Sequence, residues 1–269
     1  MHESPISHPQ LHLMTYFTSS NHRLFYREQG SGPLLLILHG NTASTALHSG
    51  ELVYFAQHYH AVALDFLGCG QSDRLAMWPL DWWAQGGRDA AALVQHLGYE
   101  RALVMGTSGG AIAALWMAIE APLRVQAVIA DSTVEHETAD WIERELRNRR
   151  QLTPEQRGFW RQAHGDDWQQ VVNADSDLLH RFAQSGGDWF QGRLNEVRCP
   201  VLFSASLRDE LLQEPGRQNC EMALQVKGSR VYFATQGVHP LMWSRADDFR
   251  RAVDWFLNGI ADSAAFEDQ

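Results

Sequence analysis

Residues 101–120 read Arg-Ala-Leu-Val-Met-Gly-Thr-Ser-Gly-Gly-Ala-Ile-Ala-Ala-Leu-Trp-Met-Ala-Ile-Glu. An apolar run of strand length passes through Gly106-Thr107-Ser108-Gly109-Gly110 into a small-residue segment of helical length, and Pro122 lies just beyond its end. A serine on so tight a strand-to-helix turn needs small neighbours, because the backbone is strained there and adjacent chain must pass close by. Its hydroxyl is then held above the edge of a sheet. The positive end of the following helix faces the point where negative charge develops during attack on a carbonyl.

Working outward, further continuous apolar runs follow the same pattern: Leu34–Leu38, AVALDF from Ala61, VQAVIA from Val125 and VLFSAS from Val201. Runs without a polar side suit strands covered by helices on both faces, as in parallel sheets. Helical periodicity over Trp83–Leu97, Ala111–Glu120 and Ala246–Phe256 alternates with them. The expectation is an α/β fold with a mostly parallel, doubly wound sheet. Upstream, LHLMTYFT from Leu11 and RLFYREQ from Arg23 alternate as a hairpin. After Asp131 the pattern becomes charged and tryptophan-rich until Val201. We expect residues 133–195 to form a helical cap insertion, with 1–132 and 196–269 forming one core.

A serine hydroxyl needs a base, and the base needs an orienting carboxylate. Of the thirteen histidines only His136, His164, His180 and His239 follow the elbow, and the first three fall in or beside the insertion. His239 follows the run VYFAT, at the sheet edge where open α/β sheets place their sites. Asp209 follows VLFSAS, with Glu210 beside it as a competitor. Asp131, at the end of VQAVIA, is a second candidate acid, or else a cap for the turn that opens the insertion. Position favours Asp209.

The ordered set His39-Gly40-Asn41, Asp65 through Ser72, Gly106 through Gly110, Asp209 and His239 resembles the α/β-hydrolase superfamily along nearly the whole chain. That resemblance implies a triad of Ser108, Asp209 and His239, with an oxyanion hole from the backbone N–H groups of Asn41 and Gly109. It implies structural roles for His39 and for the Asp65–Ser72 turn. Haloalkane dehalogenases share the layout but carry aspartate at the elbow, which disfavours that activity. The loop HGNTAS departs from the HGGG type of many lipases and the HGGGPG type of carbon–carbon bond hydrolases.

The expected function is cleavage of a small-molecule ester or related acyl substrate through an acyl-enzyme. Amide, lactone or C–C bond hydrolysis on the same triad, or ligand binding without turnover, are the alternatives. The cap should line the pocket with aromatic residues, and Trp141, Trp160, Trp168, Trp189 and Trp243 are the candidates. No metal-ligand spacing or dinucleotide fingerprint occurs, so no cofactor is expected. A net charge of −10 argues against nucleic acid as a partner. Arg144, Arg147, Arg149 and Arg150, interleaved with Glu143 and Glu145, read as a solvated helix face. Three cysteines without paired spacing suit structural, reduced thiols. With no basic-then-apolar leader in MHESPISHPQ and no run near the ~20 residues of a membrane span, we expect a soluble cytoplasmic protein.

Overall fold

The computed structural model describes residues 15–267, with side chains described to residue 260. The strands are β1 (Thr15–Ser19), β2 (His22–Gln29), β3 (Leu34–Leu38), β4 (His60–Leu64), β5 (Ala102–Thr107), β6 (Val125–Asp131), β7 (Val201–Ser206) and β8 (Arg230–Ala234). The helices are α1 (Ser49–Phe55), α2 (Trp82–His96), α3 (Gly109–Glu120), α4 (Ala139–Arg149), α5 (Pro154–His164), α6 (Trp168–Gln184), α7 (Pro215–Gln225), α8 (Leu241–Ser244) and α9 (Ala246–Glu267).

All eight strands form one sheet in the order β1-β2-β4-β3-β5-β6-β7-β8. The β1–β2 and β2–β4 pairs are antiparallel, and every pair from β4 to β8 is parallel. The expected α/β architecture with a mostly parallel, doubly wound sheet is therefore present. Continuous apolar runs behave as their composition requires, since all five residues of β3 and all six of β5 and of β7 are buried. Two apolar clusters lie on the two faces. One packs β3, β5 and β6 residues such as Leu36, Val104 and Val128 against α2 and α3. The other packs Leu35, Met105 and Ile129 against α1 and α9. The alternation of successive residues between faces is what sends Leu36 to one cluster and Leu35 and Ile37 to the other.

The hairpin is present as β1 and β2, while Leu11 to Met14 of its expected first strand, like the segment MHESPISHPQ, lies outside the described residues. Helix α3 has no polar face: every residue from Gly109 to Ile119 is buried, which is why a small-residue sequence of this kind serves there. The last helix runs on to Glu267, past the Phe256 expected from periodicity. Between β6 and β7 the chain forms α4, α5 and α6 and no strand. Helix α5 starts on a capping box, with Thr153 and Gln156 exchanging hydrogen bonds and Pro154 in the first turn.

Helix α5 and the start of α6 are tied to the loops at the C-terminal ends of β3 and β4. Ser44 donates to the Ala163 carbonyl at 2.8 Å, and Trp160 Nε1 donates to Thr42 Oγ1 at 3.1 Å. His164 accepts from the Gly70 amide at 3.0 Å and donates to the Thr42 carbonyl at 3.0 Å. Burial holds the His164 pKa down at about 4, so the ring is neutral and can do both. Arg74 closes the same seam with two hydrogen bonds to Asp167, at 2.7 and 3.0 Å. Among the described residues no helix is long and apolar enough to cross a membrane.

Candidate active site

Ser108 stands between β5 and α3 with φ 55° and ψ −125°, the strained left-handed backbone that the flanking glycines make possible. The need for glycine is steric at two positions. A Cβ on Gly106 would lie 2.1 Å from the Gly110 carbonyl oxygen, and one on Gly110 would lie 2.1 Å from that of Leu38. The Ser108 amide donates to the Asp131 carbonyl at 2.8 Å, which anchors the turn to the end of β6.

His239 follows β8, and its Nδ1 lies 2.8 Å from Asp209 Oδ2. Donation from Nδ1–H to that carboxylate leaves Nε2 as the acceptor, the tautomer a general base requires. Asp209 is held on its other oxygen by the amides of Leu211 and Leu212, at 3.0 and 3.2 Å, and its side chain is fully buried. Burial alone would lower the His239 pKa, but the Asp209 hydrogen bond and charge, reinforced by Asp131 and Glu210, outweigh it and raise the net value above 6.5. Glu210 accepts from the His239 backbone amide at 3.1 Å and makes no hydrogen bond to the ring.

Asp131 is placed differently. It accepts from Thr107 Oγ1 at 2.9 Å, Ser204 Oγ at 2.7 Å and the Met242 amide at 3.0 Å, at the junction of β5, β6, β7 and α8. Its neighbour Ser132 accepts from the Leu241 amide at 2.8 Å. Three donors fix this carboxylate as a brace under the site, and it does not cap the next helix, α4, which starts at Ala139. Burial still pushes its pKa up to about 6.

The loop after β3 abuts the elbow: a Cβ on Gly40 would come within 3.0 Å of Ser108 Cβ. His39 ties this loop down, donating from Nδ1 to the Gly40 carbonyl at 2.8 Å and accepting the Phe66 amide on Nε2 at 3.0 Å. Complete burial drives its pKa down to about 3, which keeps it neutral. Asp65 takes the amides of Thr45 at 2.7 Å and Gln71 at 2.8 Å and so organises the Asp65–Ser72 turn. Both act structurally. No described residue accepts the backbone N–H of Asn41 or of Gly109.

Ser108, Gly109, Asn41 and His239 line one pocket, with Asp209 behind the histidine. Of the candidate tryptophans, Trp141 and Trp189 line it. Trp160 and Trp168 stack on each other at 5.5 Å, and Trp243 packs against His48 and Phe159, so these three serve packing.

The reading of Arg149 as part of a solvated face is overturned. Its side chain is 12% exposed and ion-paired to the fully buried Asp175 of α6, with Glu145 at 3.3 Å, and it lines the pocket. Asp175 Oδ1 accepts from Asn41 Nδ2 at 2.8 Å, and Asn41 Oδ1 accepts from Trp83 Nε1 at 3.0 Å. A polar chain thus runs from α2 through the Asn41 loop to α6 and α4. Glu137 also lines the pocket and had no motif to announce it. Of the cysteines, Cys69 is buried, Cys199 half-buried and Cys220 exposed, so a shared packing role does not extend to Cys220.

A family model described as the alpha/beta hydrolase fold matches residues 33–191, more than half of the chain. The chain belongs to the α/β-hydrolase family. Haloalkane dehalogenase 2 of Mycobacterium tuberculosis is 33% identical over 120 residues, 44% of this chain and 41% of that protein. The match thus spans about two-fifths of the dehalogenase's length. Serine hydrolase BPHL of Mus musculus is 28% identical over 251 residues, 87% of this chain and 82% of that protein. A hydrolase from Pseudomonas aeruginosa PA01 superposes with a TM-score of 0.74 at 19% identity, covering 91% of this chain and 98% of that one. As a likeness of fold, this last agrees with the sheet order of the α/β-hydrolase described above.

Proposed function

We propose that this α/β-hydrolase is a serine hydrolase that cleaves a small-molecule ester through an acyl-enzyme. The observation that carries the reading is the convergence, in one pocket, of a strained elbow serine and a histidine whose far nitrogen is bonded to a buried aspartate. His239 Nε2 takes the Ser108 proton as Oγ attacks the carbonyl carbon, and Asp209 stabilises the imidazolium that forms. The free N–H groups of Asn41 and Gly109 receive the tetrahedral oxyanion. His239 then protonates the leaving alcohol, and a water activated by the same nitrogen releases the acid.

Residues 133–195 act in this reading as the cap over a core made of 1–132 and 196–269, with Trp141 and Trp189 shaping the acyl or alcohol subsite. Serine rather than aspartate at the elbow favours acyl transfer over the dehalogenation named for the mycobacterial relatives. Labelling with a fluorophosphonate followed by peptide mapping, alongside hydrolysis of short and long p-nitrophenyl esters, tests the assignment. Modification at Ser108 is expected, and Ser108→Ala should lower kcat by at least about a thousandfold with an unchanged melting temperature. A folded protein that neither labels nor turns over any ester, amide or lactone would instead be a ligand-binding member of the fold.

A further inference from the structure

The pocket over Ser108 carries an imbalance of charge that points to its substrate. Arg149 is the one guanidinium among the described lining residues, and it is already engaged by Asp175 and Glu145. Its Nη1 and Nε are committed to Asp175 and Glu145, so its charge is already matched by two carboxylates before a substrate carboxylate could approach. The anionic side of the pocket is different. Glu137 and Glu145 both line it, and the Glu137 carboxylate accepts a hydrogen bond from no described residue. Glu137 is only partly buried, so solvent reaches it; a ligand that displaces this solvent must offer a donor in its place, and a positive one does so best.

We infer that the substrate bears an ammonium group and that Glu137 receives it, with Glu145 adding to the field, so that the pocket favours amino-substituted esters over neutral ones and rejects acidic ones. This assignment rests on the pocket's being the substrate site of the serine hydrolase proposed above. Trp189 and Trp141 supply ring surface on the same walls, which suits a cation as well as an apolar stem. Arg144, whose charge is felt by Glu137, lies 3.6 Å over the Trp141 ring and does not line the pocket. Burial pushes the Glu137 carboxyl up to about 8; His239 and Arg144 oppose the rise, and Asp209 and Glu145 add to it. A cation in contact would favour the ionised form, so binding should expel a proton near neutrality.

The test uses Ser108→Ala protein, to exclude turnover, and tryptophan fluorescence as the readout of binding. Benzylamine, benzyl alcohol and benzoate are titrated at slightly alkaline pH, where the amine is still charged. Benzylamine should bind about tenfold more tightly than benzyl alcohol, and benzoate most weakly. Adding Glu137→Gln should erase the preference for the amine, whereas Glu137→Asp, which keeps the charge, should retain part of it; melting curves confirm that each variant is folded. With the wild-type enzyme, an α-amino acid benzyl ester should exceed its deaminated counterpart in kcat/KM by a similar factor. Equal binding of amine and alcohol, or tightest binding of benzoate, overturns the inference. Charge-selective binding by a protein whose Ser108 takes no fluorophosphonate would keep the cation site and sink the serine hydrolase reading. Ester turnover without charge preference would do the reverse.

Discussion

The two walls of the pocket hold their carboxylates in opposite ways. On the core side, Asp131 and Asp209 each receive three hydrogen bonds, from strand ends and loop amides that the sheet fixes in place. On the side built by 133–195, Asp175 is shared between a guanidinium and the Asn41 side-chain amide, while Glu137 accepts from no described residue. Saturated carboxylates define positions, because any movement breaks several bonds at once. Under-coordinated ones define polarity and wait for a partner. The division suits the proposed reading, in which the chemistry sits on a rigid sheet and the choice of substrate on residues 133–195.

The sharpest way to break the comparison is within the core wall. Asp209→Asn leaves the shape intact but lets the amide donate where it must accept, which favours the wrong His239 tautomer; kcat should fall by about 10⁴-fold. Asp131→Asn touches no reacting group and should cost far less activity, with its damage visible as a lowered melting temperature. Steady-state kinetics on both variants decides the matter, and the opposite ranking would move the acid role to Asp131. The pH profile gives the same contrast a sign. The His239 pKa is raised above 6.5, so kcat/KM should fall as pH drops through that raised value and protonates the base. In Asp209→Asn the residual activity should show its acid limb at lower pH, because the group that raised the value has gone.

Crossing to the other wall, Asp175→Ala should cost about 3–5 kcal/mol, since it leaves the Arg149 charge buried without its main partner. Denaturant unfolding measures this. Glu145→Gln, which removes only the less buried partner of Arg149, should cost no more than about 1 kcal/mol.

How much of this was legible in the sequence follows from where each signal lives. The parallel strands announce themselves because a strand buried on both faces has no polar residue to spare, and Leu34–Leu38 is the plainest instance. Gly106 and Gly110 are legible because each backbone approach forbids a Cβ. His239 and Asp209 emerge from their place after successive strands, and the structure brings them within hydrogen-bonding distance. Arg149 was not legible: its partner Asp175 lies 26 residues away on another helix, and a run of mixed charge looks the same whether it faces water or a buried acid. For Asn41 the sequence suggested only the proposed backbone role, since nothing local predicts that its side chain joins Trp83 to Asp175. Glu137 carries no motif, because its significance comes from what fails to contact it.

A modest effect on stability is the most informative about that polar chain. Replacing Arg149 and Asp175 together by Met and Leu removes both charges and their desolvation cost, so the double variant should lie within about 1–2 kcal/mol of the parent although either single change is severe. Catalysis should not recover with stability. Asn41 Nδ2 loses its acceptor in the double variant, and the Asn41 side chain is then held by Trp83 alone, while the His39, Thr42 and Ser44 bonds keep the rest of the loop. An oxyanion donor is worth more in the transition state than in the ground state, so one that wanders loses mainly transition-state stabilisation, and kcat should fall by about tenfold with KM for a neutral ester little changed. Had the ion pair served stability alone, kcat would return with the melting temperature. A split between the two, with activity lost in a protein as stable as the parent, assigns Asp175 to positioning the Asn41 loop.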